Sequence, residues 1–182
     1  MRIIDLCLIA VGLAMDAFAA SVCQGLSMRR LNPGRALTIA LFFGGFQALM
    51  PALGYLLGNT LYDSIQAIDH WVAFALLLFI GCNMVRESRK RECEAAPFTL
   101  GGILVLSLAT SVNALAVGVT FAFLSTPMLM ASSIIGGVTF ALSFLGVYLG
   151  SLFGTRFKSL AELLGGLILI GMAIKALVEG LI

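Results

Sequence analysis

Charged residues are scarce in this chain. Asp, Glu, Lys and Arg together make up 11% of its 182 residues, whereas soluble proteins carry about 25%. Hydrophobic residues make up 60%, and the mean hydropathy is +1.08. A soluble domain of this length cannot bury so much apolar surface, and the net charge of +2 leaves no basic face for nucleic acid. The composition therefore excludes a soluble fold and indicates an integral membrane protein.

Histidine is scarcer still, and its scarcity limits the metal sites and catalytic groups that the chain can form. The single histidine, His70, lies beside Trp71, where it is either an ordinary boundary residue or a metal ligand. Zn²⁺ sites usually recruit His or Cys, and a nucleophilic serine needs a base. Ser21 and Ser111 have no histidine in their hydrophobic segments. The alternative of a membrane-embedded enzyme is therefore weak, and we expect no catalytic residue and no resident cofactor.

The four cysteines show no CxxC pairing, which is the spacing typical of thiolate metal sites. They are Cys7, Cys23, Cys82 and Cys93. The last follows the basic run 86–91, in a loop that the charge pattern places in the reducing cytoplasm. We therefore expect no disulfide and no thiolate metal site, and we interpret the cysteines as small apolar side chains.

Long hydrophobic runs dominate what is present. Six apolar segments, each long enough to cross a bilayer as a helix, cover residues 3–26, 35–58, 69–86, 98–121, 128–153 and 160–181. The first also resembles a cleaved signal peptide, but Asp5 and Asp16 interrupt the basic and apolar regions that such a peptide requires. The prediction is an all-α membrane protein with six transmembrane helices in one integral membrane domain.

The basic residues indicate how the chain is oriented. Nine of the eleven Lys and Arg residues lie in the first, third and fifth loops, which share one side of the membrane. They are Arg29, Arg30, Arg35, Arg86, Arg89, Lys90, Arg91, Arg156 and Lys158. The positive-inside rule places these loops in the cytoplasm and both termini outside. We interpret the run 86–91 as this orientation signal and as a contact for lipid headgroups.

The two halves of the chain carry the same pattern of small and polar residues. The repeated positions are Asp16 with Asn113, Gly54 with Gly146, Gly58 with Gly150, and Gly81 with Gly171. Each half has three helices, so the second half must enter the membrane from the opposite side. We therefore predict a 3+3 inverted repeat with the halves 1–91 and 92–182, and a substrate site near the midplane between them.

Asp16 lies in the middle of the first hydrophobic segment, and Asn113 has the equivalent place in the fourth. A carboxylate at membrane depth costs about 2.5–3.5 kcal/mol on insertion scales, so it indicates a functional site. Small neighbours around both side chains leave room for an ion, a water or a facing helix. The sequence therefore predicts one site to which both halves contribute.

The motifs around these positions resemble a known family. The segments 12–21 (GLAMDAFAAS), 46–54, 69–74, 109–118 (ATSVNALAVG), 161–166 and 170–175 are similar to those of the bacterial manganese efflux pump family, MntP. The resemblance covers essentially the whole chain. It implies a six-helix exporter of Mn²⁺ from the cytoplasm across the bacterial inner membrane, in a fold similar to the lysine-exporter superfamily.

One position departs from the family pattern, which has Asp where this chain has Asn113. Asn is nearly isosteric with Asp and offers a carbonyl oxygen, but it carries no charge. A natural divergence and an engineered replacement both account for it. In either case one positive charge of Mn²⁺ stays uncompensated at the pair, so we expect Asn113→Asp to tighten Mn²⁺ binding.

Mn²⁺ prefers oxygen ligands, and several side chains at membrane depth offer them. Asp16 supplies a charge, and Pro51 frees a backbone carbonyl near Gln47. Glu162 begins the last segment, either as a cytoplasmic ligand or as an acidic residue favoured at a helix N-terminus. The predicted metal ligands are Asp16, Asn113, Gln47, Thr110, Ser111 and Glu162.

Export of a divalent cation needs an energy source. Moving two charges out of an inside-negative cell costs about 2 × 2.3 kcal/mol per 100 mV, whereas a tenfold concentration ratio returns about 1.4 kcal/mol. The hypothesis is proton antiport, in which a buried carboxylate exchanges a proton for the metal. The expected partners are Mn²⁺, protons and membrane lipid, with no nucleic acid and no obligate protein partner.

Two further alternatives follow from the same residues. Six helices in an inverted repeat do not fix the substrate, so another divalent cation or a basic amino acid is an alternative cargo. An accessory subunit without transport of its own is the other alternative, although the paired intramembrane polar residues argue against it.

Overall fold

The computed structural model describes residues 3–28, 32–65, 69–90, 93, 98–124, 126–153 and 156–181, with backbone only at 61–65, 69, 70, 153, 156 and 179–181. Six helices form most of this part of the chain, and no strand occurs in it. They are α1 Ile3–Leu26, α2 Pro33–Ile65, α3 Asp69–Glu87, α4 Leu100–Phe123, α5 Met128–Phe153 and α6 Arg156–Leu181. The predicted all-α fold with six helices is confirmed. The side chain of His70 lies outside the described residues.

Five of the six helices are long and apolar enough, by length and composition within the described ranges, to cross a membrane. The exception is α3, whose polar and charged ends leave only 15 residues between His70 and Arg86. At 1.5 Å per residue it still extends about 28 Å, close to the hydrocarbon thickness of a bilayer. Large side chains such as Phe79 and Leu129 are exposed on the outside of the bundle, as expected of a surface that contacts lipid. The chain is a multi-pass membrane protein.

Side-chain caps hold the starts of two helices. The Asn32 side-chain oxygen accepts hydrogen bonds from the N–H groups of Gly34, at 3.0 Å, and Arg35, at 3.3 Å, where α2 begins. The Thr99 hydroxyl oxygen accepts one from the Gly102 N–H, at 3.1 Å, where α4 begins. These caps satisfy N–H groups that have no partner within their own helix.

Glycines make the closest approaches between helices. The helix α1 packs against α5 and α6, α2 packs against α4 and α5, and α3 packs against α6. A Cβ on Gly54 would lie 2.0 Å from the main-chain oxygen of Leu115, and one on Gly150 would lie 2.1 Å from that of Val22. Backbones this close gain dispersion contacts, which hold helices together in lipid, where apolar burial supplies no driving force.

The contacts recur at the same register in the two halves of the chain. Two glycines of α2 contact α4 at the residues two and six positions after Asn113. Two glycines of α5 contact α1 at the residues two and six positions after Asp16. The contacts are Gly54 with Leu115, Gly58 with Val119, Gly146 with Phe18, and Gly150 with Val22. This correspondence is consistent with the predicted inverted repeat.

The helices α3 and α6 approach each other at Gly81 and Gly166. A Cβ on Gly81 would lie 2.8 Å from the main-chain oxygen of Gly166, and a Cβ on Gly166 would lie 2.7 Å from that of Gly81. Gly171, the counterpart of Gly81 in the predicted repeat, has no described atom from another helix within 4 Å of its Cβ position. The two repeat positions therefore differ in their packing.

The expectation of no disulfide is wrong. Cys23, near the end of α1, is bonded to Cys93, which follows α3, with 5.3 Å between the Cα atoms and a sequence separation of 70. Cys7 and Cys82 are free thiols in the described part of the chain, and both are exposed. The pairing escapes sequence reasoning because only the packed bundle brings the end of α1 beside the segment after α3.

Gly54→Ala should lower the free energy of unfolding by about 1–3 kcal/mol, because the new methyl group overlaps the α4 main chain and forces two helices apart. Thermal unfolding in detergent measures this as a lower midpoint. The matched control is Gly45→Ala on the same helix, whose methyl group would meet nothing within 4 Å. Equal effects of the two substitutions would contradict the close approach of α2 and α4.

The disulfide sets the number of reactive thiols. In protein purified without reductant and then denatured, two cysteines per chain should react with a maleimide, and four should react after treatment with a dithiol. Mass spectrometry of the labelled chain counts the adducts. Four adducts before reduction would show that Cys23 and Cys93 are not bonded.

Candidate metal site

Asp16 and Asn113 meet where α1 and α4 cross. The Asn113 amide nitrogen, Nδ2, donates a hydrogen bond of 3.0 Å to Asp16 Oδ2. The two residues are 97 positions apart in the chain, so the contact depends on the packing of the bundle. The structure therefore brings the two predicted halves of the site into direct contact.

The direction of this hydrogen bond matters for metal chemistry. The amide of Asn113 presents its donor to the carboxylate, as a protonated Asp at the same position would. A cation bound between the two side chains needs oxygen atoms on both sides, so the amide must rotate by about half a turn to present Oδ1.

Asp16 also lines a cavity of about 220 Å³. A water molecule takes up about 30 Å³ in the liquid, so the cavity has room for a cation with most of a hydration shell. Its lining residues are Asp16, Ala20, Cys23, Glu87, Lys90, Leu106, Thr110, Lys158 and Glu162. We call this cavity, with these residues, the vestibule.

The vestibule ends at Asp16, and a dense apolar core begins there. On α1 the vestibule is lined by Asp16 and residues after it, and the core takes residues before it. On α6 the vestibule is lined by residues before Gly165, and the core takes residues after it. This core includes Ile9, Leu13, Leu77, Val117, Phe121 and Leu169, each at most 1% exposed. A path from the bundle surface to Asp16 therefore exists on one side and is filled by side chains on the other.

Gln47 is fully buried on α2 and reaches the same region of α1. Its Nε2 atom donates a 3.3 Å hydrogen bond to the main-chain oxygen of Leu13, three residues before Asp16. Its Oε1 atom has no hydrogen-bond partner among the described residues. Pro51 has no N–H to pair with the Gln47 carbonyl one turn earlier. Gln47 therefore reaches α1 at Leu13, one turn before Asp16, with a side-chain oxygen that lacks a partner, although it does not line the vestibule.

Of the two predicted hydroxyl ligands, the structure brings Thr110 to the vestibule and Ser111 elsewhere. The Thr110 hydroxyl donates to main-chain oxygens of its own helix, those of Leu106 and Ser107, both at 3.1 Å. Its oxygen keeps a lone pair that can accept or coordinate. Ser111 is buried, donates to the Leu108 main-chain oxygen at 3.0 Å, and is not a lining residue.

Glu162 lies on α6 with its carboxylate in the vestibule. The side chain is 6% exposed, and one carboxylate oxygen, Oε1, lies 3.7 Å from the Lys158 ammonium. The other oxygen, Oε2, is buried without a hydrogen-bond partner in the described part of the protein. A half-satisfied buried carboxylate is a candidate ligand for a cation, because it gains most from a second positive partner.

Three charged residues of the vestibule were missed by sequence reasoning. They are Glu87, Lys90 and Lys158. Charges near helix ends have an ordinary explanation in membrane orientation, so their position alone carried no functional signal. One signal was available, since the spacing of Lys158 and Glu162 by four places them on the same face of a helix.

The site is poor in strong metal ligands. Within the described residues, no group of three or more His, Cys, Asp and Glu side chains is arranged to hold a metal ion. Neutral oxygens, such as those of Asn113, Gln47 and Thr110, are therefore candidate partners of Asp16, together with water. Such a set suits a hard divalent cation that binds weakly enough to be released.

Six packed helices, a carboxylate between the halves and a polar vestibule define a small multi-pass transporter. The family described as "Putative manganese efflux pump" matches residues 30–177. Among curated relatives, the "Putative manganese efflux pump MntP" of Acetivibrio thermocellus is 54% identical, over 100% of this chain and 93% of the relative. The protein of the same name in Desulfitobacterium hafniense is 56% identical, over 98% and 95%.

A third relative of that name, from Mannheimia succiniciproducens, is 48% identical over 98% of this chain and 97% of its own length. No solved structure matches the chain. The similarity extends along nearly the full length of this chain and of each relative. The chain belongs to the manganese efflux pump family, and the resemblance inferred from its motifs is confirmed.

Asn113→Asp should lower the dissociation constant for Mn²⁺ by about tenfold, equivalent to about 1.4 kcal/mol, because a second carboxylate compensates the remaining charge of the cation. Calorimetry on the purified proteins measures the change. The matched control is Asn32→Asp, which adds the same charge at a helix cap that Asp also serves. Equal or weaker binding by Asn113→Asp would refute the expectation.

Proposed function

We propose that this protein exports Mn²⁺ from the cytoplasm and binds it at Asp16. The single observation that carries the proposal is the contact of Asp16 with Asn113 at the closed end of the vestibule. A partly buried carboxylate that is open to solvent on one side and sealed by apolar packing on the other has the arrangement of an alternating-access site. Membership of the manganese efflux pump family supports Mn²⁺ as the substrate.

The proposed ligands are contributed by three helices around one carboxylate. Asp16 binds the cation by charge, and Asn113 joins it through Oδ1 once its amide has rotated. The unpartnered Oε1 of Gln47 and the hydroxyl oxygen of Thr110 complete the set with water. Ser111, on the same helix as Thr110, keeps a supporting role through its hydrogen bond to the helix backbone.

Glu162 is proposed as the ligand that a cation meets before Asp16. Both carboxylates line the vestibule, and Glu162 lies near the start of α6, nearer to the loops than Asp16. A cation attracted by this carboxylate has a second carboxylate ahead of it. We therefore assign Glu162 to capture and Asp16 to the transported state.

The charge pattern supports a vestibule that faces the cytoplasm. Lys90 and Lys158 line it, and both belong to the loops and loop ends that the positive-inside rule places inside. With this orientation both termini lie outside, and the protein occupies the inner membrane of a bacterium. The filled side of the bundle then faces the exterior, as required while cytoplasmic Mn²⁺ has access to Asp16.

Proton antiport is the proposed source of energy. Export of Mn²⁺ against 100 mV costs about 4.6 kcal/mol, so the cation must be exchanged for something that moves inward downhill. A proton and Mn²⁺ compete for the same Asp16 carboxylate. Binding one therefore excludes the other, which is the minimal requirement for coupling through a single site.

Mn²⁺ uptake into proteoliposomes tests the proposed function. Vesicles of phosphatidylethanolamine and phosphatidylglycerol with an acidic lumen should take up external Mn²⁺ through protein inserted with its vestibule outward, and the lumen should become more alkaline as protons leave. Asp16→Asn should reduce the initial rate at least about tenfold, since it removes the carboxylate charge that binds the transported cation. A proton ionophore should slow uptake by the unmodified protein.

Controls in the same vesicles separate the alternatives. Flux that is indifferent to Asp16→Asn would refute the site, and flux indifferent to the ionophore would refute the antiport. Competition against labelled Mn²⁺ tests the alternative cargoes. If Fe²⁺, Co²⁺ or lysine suppresses uptake of the label at a lower concentration than unlabelled Mn²⁺ does, that competitor is the better substrate. Purified protein that is inactive in every condition would favour the accessory-subunit alternative.

A further inference from the structure

The vestibule of this cation transporter contains cations of its own. Three acidic residues, Asp16, Glu87 and Glu162, line it together with two basic ones, Lys90 and Lys158. Lysines repel a divalent cation at close range, so their presence beside the route to Asp16 needs a physical reason.

Lys158 holds a position that a metal ion would also favour. Its ammonium lies 3.7 Å from Glu162 Oε1 and donates a 3.3 Å hydrogen bond to the main-chain oxygen of Lys90. Carboxylate and main-chain carbonyl oxygens are the ligands that hard divalent cations use in proteins. Only 13% of the Lys158 side chain is exposed, so the ammonium belongs to the vestibule and not to bulk solvent.

The contact between Lys158 and Glu162 is loose. A charge-assisted hydrogen bond between nitrogen and a carboxylate oxygen is about 2.7–2.9 Å long, about an ångström shorter than the 3.7 Å observed. The second oxygen of Glu162 has no partner among the described residues. Lys158 therefore only partly compensates the buried carboxylate, and a stronger cation can replace it.

We propose that Lys158 is an exchangeable internal counter-ion, which occupies Glu162 while the vestibule holds no metal and leaves Glu162 when a divalent cation binds there. This inference rests on the proposed function and adds a residue that sets its affinity. Because the lysine is attached one helical turn away, its effective concentration at Glu162 is high and constant. It therefore weakens metal capture and favours release of the metal toward Asp16.

The test is Mn²⁺ binding to purified full-length protein in detergent, measured by isothermal titration calorimetry. Lys158→Met keeps a stem of similar length and removes the ammonium. The dissociation constant for Mn²⁺ should fall about three- to tenfold, because no attached cation competes for Glu162. An unchanged or higher dissociation constant in this folded variant would overturn the proposal.

Two matched variants control for charge and for position. Lys158→Arg keeps a cation on the same stem and should stay within about twofold of the unmodified protein. Lys90→Met removes the same charge from the same vestibule, but the Lys90 side chain is exposed and meets Lys158 through its main-chain oxygen. Lys90→Met should also stay within about twofold. Equal tightening by Lys90→Met and Lys158→Met would overturn the proposal in favour of a general field effect.

A double-mutant cycle tests whether Lys158 acts through Glu162. In a Glu162→Gln background, Lys158→Met should change the dissociation constant by less than about twofold, because the carboxylate for which the lysine competes is gone. A change as large as in the unmodified background would overturn the proposal. Lys158→Gln controls for the hydrogen bond to the Lys90 carbonyl, to which its amide can still donate. It should tighten binding as Lys158→Met does, which would show that loss of this hydrogen bond is not the cause.

Asp16→Asn separates failure of this inference from failure of the proposed function. If Asp16→Asn abolishes Mn²⁺ binding and Lys158→Met changes nothing, the counter-ion is overturned while the metal site stands. If Mn²⁺ binding survives Asp16→Asn unchanged and Lys158→Met still tightens it, the proposed transport site at Asp16 fails while the counter-ion at Glu162 stands. Thermal unfolding of each variant confirms that the comparison is made between folded proteins.

Discussion

In a bilayer, an apolar side chain gains little by leaving lipid for a neighbouring helix, so the helices of this protein depend on close contact between their backbones. Glycines supply that contact at corresponding positions of the two halves, two and six residues beyond Asp16 on α1 and beyond Asn113 on α4. The same contacts that hold the bundle therefore also set where its polar residues meet. A side chain added at Gly54 or Gly146 would shift the helices and the site together.

Glycine contacts recur in the two halves, but the side chains around them differ. On one side of Asp16 the bundle encloses a vestibule with carboxylates, lysines and hydroxyls, and on the other it packs Ile9, Leu13, Leu77 and Val117 against one another. Related backbone contacts with different side chains yield an open path on one side and a filled one on the other. Asp16 lies at the boundary, as the proposed transport site requires.

Sequence patterns predicted some of these features for physical reasons that local sequence carries. An aspartate inside a long apolar run is expensive, so Asp16 stands out, and its counterpart Asn113 stands out in the same way. Glu162 was recognised because it follows a loop and begins an apolar segment. Glu87 and Lys158 were not, because charges near helix ends have an ordinary explanation in orientation. The sequence made no prediction of how α3 packs on α6, because runs of Leu and Ile do not distinguish one turn from the next.

The sequence by itself determined the class of protein, the number of helices and the two polar positions of the candidate site, because hydrophobic length and the cost of a buried charge are properties of short segments. Only the tertiary structure decided that the Asn113 amide donates to Asp16, that Cys23 is bonded to Cys93, and that Lys158 lies against Glu162 inside a cavity. Two of these contacts join residues far apart in the chain. The third joins residues four positions apart, but the cavity that contains both exists only in the packed bundle. No local sequence pattern encodes how the helices pack against one another.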